Sequence, residues 1–219
     1  VDAESRSQFN IISMKTSTIC LVGNAYSLKG LGLGEAIDNH THILRFNHYK
    51  VEGYEEDVGE RTTHWSAAPE PICRLIKQEG LQYFRQYKTV WARNWGGRGR
   101  PPNQIQIAKI ASYWKDHEVC DLQWLSEDTL RECGSPYRDW EEEFLKAQKQ
   151  GTTTGFLALI FAMHHYKTPI SIGGFGFSEY SNYDYYSGGE INRNHSLDKE
   201  RLVINRWVEQ GLLNRIEEE

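Results

Sequence analysis

Short, nearly unbroken apolar runs alternate along this chain with stretches in which apolar residues recur every three or four positions. Thr18-Ile-Cys-Leu-Val22 stops at Gly23, and comparable runs lie at 42–46, 62–67, 88–92, 119–124 and 169–172. Runs this short and this apolar predict strands buried on both faces, as in a parallel sheet. Helical spacing between them predicts helices over 30–37, 71–78, 103–115, 140–150, 152–166 and 196–213. Pro71 suits the first turn of its helix. The helix that follows Thr152-Thr-Thr-Gly155 is apolar all round and must be buried. Strands alternating with helices predict an α/β fold, with a mostly parallel central sheet flanked by helices. One domain over residues 17–219 accommodates it, preceded by a polar, aperiodic arm over 1–16. Residues 93–102, rich in Gly, Pro and Arg, and residues 178–194, rich in Tyr and Asn, read as loops.

Composition narrows the partners. A chain of 219 residues with 39% hydrophobic and 25% charged positions is of ordinary globular make-up. A net charge of -5 with both signs interspersed argues against a nucleic-acid binder, which needs a basic face. No run approaches the ~20 apolar residues of a membrane helix, so no membrane segment is expected in these residues. Four cysteines without a C-x-x-C pair exclude a zinc ribbon and a small disulfide scaffold. Seven Trp and twelve Tyr are many for this length; most fill a core, and some suit a sugar site, where a surface must be apolar and hydrogen-bonding at once. The chain opens at Val1, as a processed or trimmed form would, and a signal or anchor could have stood upstream.

Two stretches could hold a phosphate. Val22-Gly23-Asn24 leads from a strand toward Gly30-Leu-Gly-Leu-Gly34, but these glycines alternate strictly, do not fit G-x-G-x-x-G, and have no Walker lysine. A nucleotide site and an ordinary tight turn both fit them. Thr152-Thr-Thr-Gly155 offers hydroxyls and first-turn N–H groups, or simply a helix N-cap. Metal chemistry finds little support: there is no H-E-x-x-H, and none of the nine Asp residues stands two from another, as in the Asp-x-Asp pair of many sugar transferases.

Four blocks in order give these fragments a common meaning. Residues 21–64 contain Leu-Val-Gly-Asn-Ala-Tyr-Ser-Leu-Lys-Gly, then Ile-Leu-Arg-Phe-Asn, then Gly-Tyr-Glu-Glu-Asp-Val-Gly-Glu-Arg-Thr-Thr-His. Residues 152–177 contain Thr-Thr-Thr-Gly-Phe-Leu-Ala-Leu and Ile-Gly-Gly-Phe-Gly-Phe; Tyr183-Asp-Tyr-Tyr186 and His195-x4-Glu200 follow. Together they resemble the large, small, third and very small motifs of the sialyltransferases of glycosyltransferase family 29. The resemblance implies a Rossmann-like, GT-A-type single domain. It would transfer sialic acid from a CMP donor to a glycan hydroxyl, inverting and metal-independent, with no cofactor beyond the CMP-sugar co-substrate. By motif position Asn24 and Asn47 would contact the nucleotide. Thr153, Thr154 and Gly155 would face ribose, phosphate or sugar carboxylate, and Gly174, Phe175 and Gly176 would line the cytidine pocket. His195 would be the general base and Glu200 its support, bracing the loop or bonding backbone near it. A helix N-terminus disfavours the imidazolium and keeps the neutral ring available.

Three departures from the family's pattern stand out. Ala25 stands where a serine is common, moving one donor contact to Ser27. Asp184 replaces a histidine before the aromatic pair; an aspartate would repel a leaving phosphate, leaving the hydroxyls of Tyr185 and Tyr186 as its donors. Ile19 and Tyr166 fill the places of the cysteines that join the two large blocks in animal members, and Cys20 would face away from that position. Location stays open on this reading: Golgi lumen by family if an anchor was removed, otherwise cytoplasm. A related 2-keto-3-deoxy sugar donor, a nucleotide-binding module that has lost catalysis, and an NAD oxidoreductase remain the alternatives, the last disfavoured by its glycine spacing.

Overall fold

The computed structural model of the chain describes residues 18–94, 103–134, 136, 138, 152–166, 169–176, 184–186 and 197–216. Its strands are β1 (Ile19–Val22), β2 (His42–Phe46), β3 (His64–Ala67), β4 (Thr89–Asn94), β5 (Asp121–Ser126), β6 (Ile170–Gly173) and β7 (Leu213–Arg215). Its helices are α1 (Gly34–Asp38), α2 (Glu55–Val58), α3 (Pro69–Glu79), α4 (Gln104–Asp116), α5 (Glu127–Arg131), α6 (Thr154–His165) and α7 (Leu197–Glu209). The strands form one seven-stranded sheet in the order β5-β4-β3-β2-β1-β6-β7, and each neighbouring pair is parallel. The expected α/β architecture is therefore present. The arm over 1–16, the helix expected at 140–150 and most of the loops at 93–102 and 178–194 lie outside the described residues.

Alternation of side chains along each strand loads both faces of the sheet. Ile19 and Leu21 of β1 point into a core shared with α6 and α7, whereas Cys20 and Val22 point into one shared with Leu28, Ile37 and Tyr185. A third core gathers Trp65, Phe84, Val90 and Ile110 beneath α3 and α4. Helix α6 is buried from Phe156 through Ala162, as its all-round apolar sequence requires, and Phe156 stacks on Trp207 of α7 at a centroid distance of 5.5 Å. Burying a side chain of that size contributes about 1.5–3 kcal/mol, so this stack fixes the two helices against each other. None of the four cysteines is in a disulfide, and Ile19 and Tyr166 both pack against the first core. Among the described residues no helix is long and apolar enough to cross a membrane.

One expected element changes. The last helix does not reach Leu213: it ends at Glu209, Gly211 turns the chain at φ +70°, and Leu213–Arg215 pairs with β6 as the edge strand. Leu213 and Ile216 fall at a spacing that continues the helical pattern, but a three-residue strand ladder and burial of both side chains outweigh it.

Sheet order places the site. From β1 the chain works outward through β2 to β5 on one side and returns through β6 to the other, so the carboxyl ends of β1 and β6 part at a topological switch point. Open α/β sheets bind ligands in the crevice at such a point.

Candidate functional site

Backbone contact between the ends of β1 and β6 creates the floor of the crevice. Gly23 N–H donates to the Gly173 carbonyl at 2.7 Å and Ala25 N–H to the Gly174 carbonyl at 3.1 Å. A Cβ on Gly23 would stand 2.1 Å from the Gly174 oxygen, and Gly174 adopts φ +70°, so neither position tolerates a side chain. The sequence reading assigned Gly174 to the cytidine pocket; its glycine is also demanded by this close packing. Asn47 ends β2 at φ 49°, a left-handed conformation that Asn tolerates better than other side-chain-bearing residues.

Above this floor lies a cavity of about 580 Å³. Its walls bring together Gly23, Asn24 and Ala25 after β1, Asn47 and His48 after β2, and Thr153, Thr154 and Gly155 at the start of α6. Gly174, Phe175 and Gly176 after β6, Asp184, Tyr186, Leu197 and Glu200 complete them together with Phe46, Ala68 and Arg93. Most of the residues singled out in the sequence thus surround one space. His195 lies outside the described residues, while Leu197, two positions on, is on the cavity wall.

Asn24 holds the site's geometry with one end of its amide and faces it with the other. Its Nδ2 donates to the carbonyls of Phe46 at 3.2 Å and His48 at 3.1 Å, tying the turn after β2 to β1. Its Oδ1 is buried with no hydrogen-bond partner, an acceptor that a ligand N–H or O–H would satisfy. The tyrosine pair divides. Tyr186 lines the cavity with its hydroxyl donated to the His48 carbonyl at 2.6 Å. Tyr185 is 2% exposed and belongs to the core; its hydroxyl donates to the Lys50 carbonyl at 2.5 Å and accepts from the Lys50 N–H at 3.3 Å. A role for Tyr185 as donor to a leaving phosphate does not fit its place, because it is buried in the core and absent from the cavity wall. Ser27, expected to take over a donor contact, sits on the turn Tyr26–Leu28 and is not among the cavity walls. Asp184 does face the cavity, and its backbone pairs with Ala25 in an antiparallel bridge.

The glycine loop has a different occupant. The N–H groups of Gly30 and Gly32 donate to the two carboxylate oxygens of Asp57, at 2.8 and 3.0 Å. Gly30 and Gly32 thus form a turn closed on a carboxylate of their own chain, whereas Gly23 and Asn24 of the same stretch line the cavity.

Glu200 reaches much farther than its own loop. It is 5% exposed, and its carboxylate accepts from the Thr153 N–H at 2.6 Å and from the Thr153 hydroxyl at 2.7 Å. Thr153 Oγ1 in turn accepts the Phe156 N–H at 3.0 Å, the N-cap bond of α6. Burial pushes the Glu200 carboxyl up to about 7 against these two hydrogen bonds and the nearby Arg93 guanidinium, which favour the ion. Arg93, at the end of β4, donates from Nη1 to the Thr152 carbonyl at 3.0 Å. Sequence reasoning assigned Arg93 to the start of the loop 93–102, as part of an acceptor wall; an arginine closing the apolar run Thr-Val-Trp-Ala was the signal that could have singled it out.

Comparison with known proteins agrees with this geometry. Residues 5–95 match the model of glycosyltransferase family 29 (sialyltransferase). The chain is 26% identical over 196 residues to mouse CMP-N-acetylneuraminate-beta-galactosamide-alpha-2,3-sialyltransferase 2, covering 84% of this chain and 52% of that protein. It is 25% identical over 228 residues to human CMP-N-acetylneuraminate-beta-galactosamide-alpha-2,3-sialyltransferase 4, covering 94% of this chain and 66% of that protein. The chain thus spans between half and two thirds of the length of these relatives. A mammalian sialyltransferase crystal structure superposes with a TM-score of 0.63 at 20% identity, covering 91% of this chain and 68% of that one. The sialyltransferase CstII from Campylobacter jejuni, in complex with CMP-3FNeuAc, superposes with a TM-score of 0.55 at 15% identity, covering 91% and 81%. The amino-terminal part of the chain, residues 5–95, is thus similar to glycosyltransferase family 29, and its fold is that of solved sialyltransferases.

Proposed function

We propose that this chain transfers sialic acid, or a related 2-keto-3-deoxy acid sugar, from a CMP donor to a glycan hydroxyl, inverting the anomeric centre without a metal ion. The observation that carries this reading is the convergence of two separate sequence blocks on one cavity at the switch point: Asn24 and Asn47 from the first, Thr153 to Gly155 and Gly174 to Gly176 from the second. The relatives' names supply CMP-N-acetylneuraminate as the expected donor and a β-galactosamide as the expected acceptor.

The chemistry asked of the site is modest in number of parts. Asn24 Oδ1 accepts a hydrogen bond from the nucleotide, since its Nδ2 is committed to backbone. The first-turn N–H groups of α6, at Thr154 and Gly155, have no acceptor within the helix and suit the donor's phosphate or carboxylate. The acceptor oxygen forms its bond to the anomeric carbon as the bond from that carbon to the phosphate oxygen breaks, and CMP departs with the electron pair. CMP leaves as a monophosphate, so helix N–H groups and side-chain donors supply the stabilisation that a metal gives a diphosphate. The acceptor's proton goes to His195: a hydroxyl near pKa 15 is a poor nucleophile, and an imidazole near 6.5 is a competent base at neutral pH.

Asp184 on the cavity wall favours a second reading, a CMP-binding module without turnover, since a carboxylate there opposes an anionic leaving group. CMP release from CMP-sialic acid with a β-galactosamide acceptor, run in excess EDTA, separates the two. Turnover in EDTA close to that in Mg²⁺ is expected, and His195→Ala should lose about 10²–10⁴ in rate while keeping its affinity for CMP. A hundredfold loss in EDTA overturns metal independence, and a His195→Ala variant within fivefold of the parent overturns the base. CMP binding with no release in the parent leaves the module reading. Running CMP-Kdo beside CMP-sialic acid, with linkage analysis of the product, fixes donor and acceptor.

A further inference from the structure

Arg93 stands outside every motif block, yet it lines the cavity between the two groups that set the start of α6. Its Nη1 holds the Thr152 carbonyl at 3.0 Å, and its charge acts on Glu200, whose two oxygens hold the N–H and hydroxyl of Thr153 at 2.6 and 2.7 Å. Both residues therefore grip consecutive positions just before the helix. A doubly accepting carboxylate is the form this geometry needs: once one oxygen carries a proton, it becomes a donor and a poor acceptor, and one of the two bonds from Thr153 is lost. A carboxylate as buried as Glu200 keeps its charge only with a compensating cation or hydrogen bonds.

We propose that Arg93 is a positioning residue of this site: its guanidinium supplies the counter-charge that keeps Glu200 a double acceptor, and so holds the N-terminus of α6 aimed into the donor cavity. The proposal deepens the CMP-donor reading and rests on it. Arg93 bonds the helix start at the Thr152 carbonyl, and its charge favours the ionised form of Glu200. Burial pushes the Glu200 carboxyl up to about 7, so loss of the Arg93 charge moves it further into the protonated form at neutral pH. Other groups bear on the same cavity: Asp184 and Tyr186 from the bridged segment, and His48 from the turn after β2. Asp198, Lys199 and Arg201 share α7 with Glu200, and Arg201 is paired to Asp198 at 3.1 Å on the helix surface. Arg93 and the two bonds from Thr153 favour Glu200 ionisation. Arg93 is the cation of this cavity wall among the described residues.

The test follows the Glu200 carboxyl by carbon NMR across pH 5.5–8.5 and, at each pH, CMP affinity by calorimetry, in the parent, Arg93→Lys, Arg93→Gln and Glu200→Gln. CMP's own phosphate titrates in this range, equally for all four proteins, so comparison between them isolates the protein. Arg93→Gln should raise the Glu200 midpoint by about one pH unit, weaken CMP roughly tenfold at pH 7, and recover most of that at pH 8.5. Arg93→Lys, which keeps the charge, should restore the midpoint and most of the affinity. Glu200→Gln should hold CMP at the weakened level with no pH step beyond that of CMP itself. An unmoved midpoint in Arg93→Gln, or an affinity loss of equal size at every pH, overturns the proposal in favour of direct contact or packing. If Arg93→Gln does not fold, a Glu200→Gln variant that retains the parent's pH step overturns it instead. A parent that binds no CMP overturns the donor reading, and the carboxyl midpoints still decide whether Arg93 sets the charge of Glu200.

Discussion

The glycine loop before α1 and the threonine turn before α6 present the same chemistry to their surroundings, and each already holds a carboxylate. Asp57 accepts from Gly30 and Gly32 on the exposed surface, where neither glycine faces the cavity. Glu200 accepts from Thr153 inside the protein, beside Arg93, on the wall of the cavity itself. Backbone N–H groups alone therefore say little about where a ligand binds. Burial of the acid, the cation facing it and the position at the switch point separate a closed turn from a working site. The solvent-facing clamp stabilises a loop at little electrostatic cost, while the buried one is expensive and is found where geometry matters most.

Removing the buried acid should have the largest effect. Glu200→Ala leaves the buried N–H and hydroxyl of Thr153 without their acceptor, and each unsatisfied buried group typically costs ~1–3 kcal/mol, so ~2–5 kcal/mol together. Urea unfolding of this variant should show a loss near that range; a loss below about 1 kcal/mol places the carboxylate in water rather than against Thr153.

The pH dependence of stability sharpens the contrast between the two ends of the sheet. Glu200 holds its proton up to about 7 when folded, so its stabilising contribution is complete below about 4.5 and falls away as pH rises to about 7. His64, at the opposite end of the sheet, is pushed down to about 4 by burial, then by His42 and Lys88. Its contribution is complete above 6.5 and is lost as pH falls toward 4. Each shift corresponds to at most ~3 kcal/mol, and the two oppose each other between about pH 4.5 and 6.5. The parent should be nearly level across that window, whereas Glu200→Gln should lose about 2 kcal/mol on acidification through it. Equal slopes in the two proteins contradict the burial of Glu200.

Smaller effects test the individual bonds. Thr153→Val removes the N-cap and one bond to Glu200 at almost constant shape, at about 1 kcal/mol of stability and roughly tenfold in CMP affinity. Asp57→Asn weakens the clamp on the glycine loop by about 1 kcal/mol and should leave CMP affinity within twofold. A large affinity loss in Asp57→Asn and none in Thr153→Val reverses the roles assigned to the two turns.

Much of this arrangement could be read from the chain, and the omissions have physical causes. Apolar runs as unbroken as Ile19–Val22 and Ile170–Gly173 announce strands covered on both faces, and α6 announces its burial by carrying no polar stripe. β7 was hidden because Leu213-Asn-Arg is too short to show a period and follows an amphipathic helix in step with it. The motif blocks pointed to Asn24, Thr153 and Gly174 together, but Tyr185 and Tyr186, adjacent in sequence, part company only in space: one hydroxyl is held by Lys50 and the other faces the cavity from His48. The clamp of Asp57 on glycines 25 and 27 residues earlier, and that of Glu200 on a threonine 47 residues earlier, leave no local signature at all.

The most direct test of the donor cavity is a CMP titration of the whole chain followed through its backbone amide resonances. The largest shifts are expected at Gly23 to Ala25, Asn47, Thr153 to Gly155 and Gly174 to Gly176, with Gly30 and Gly32 unmoved. Shifts centred on Gly30 to Gly34, or no saturable shift at millimolar CMP, contradict the account.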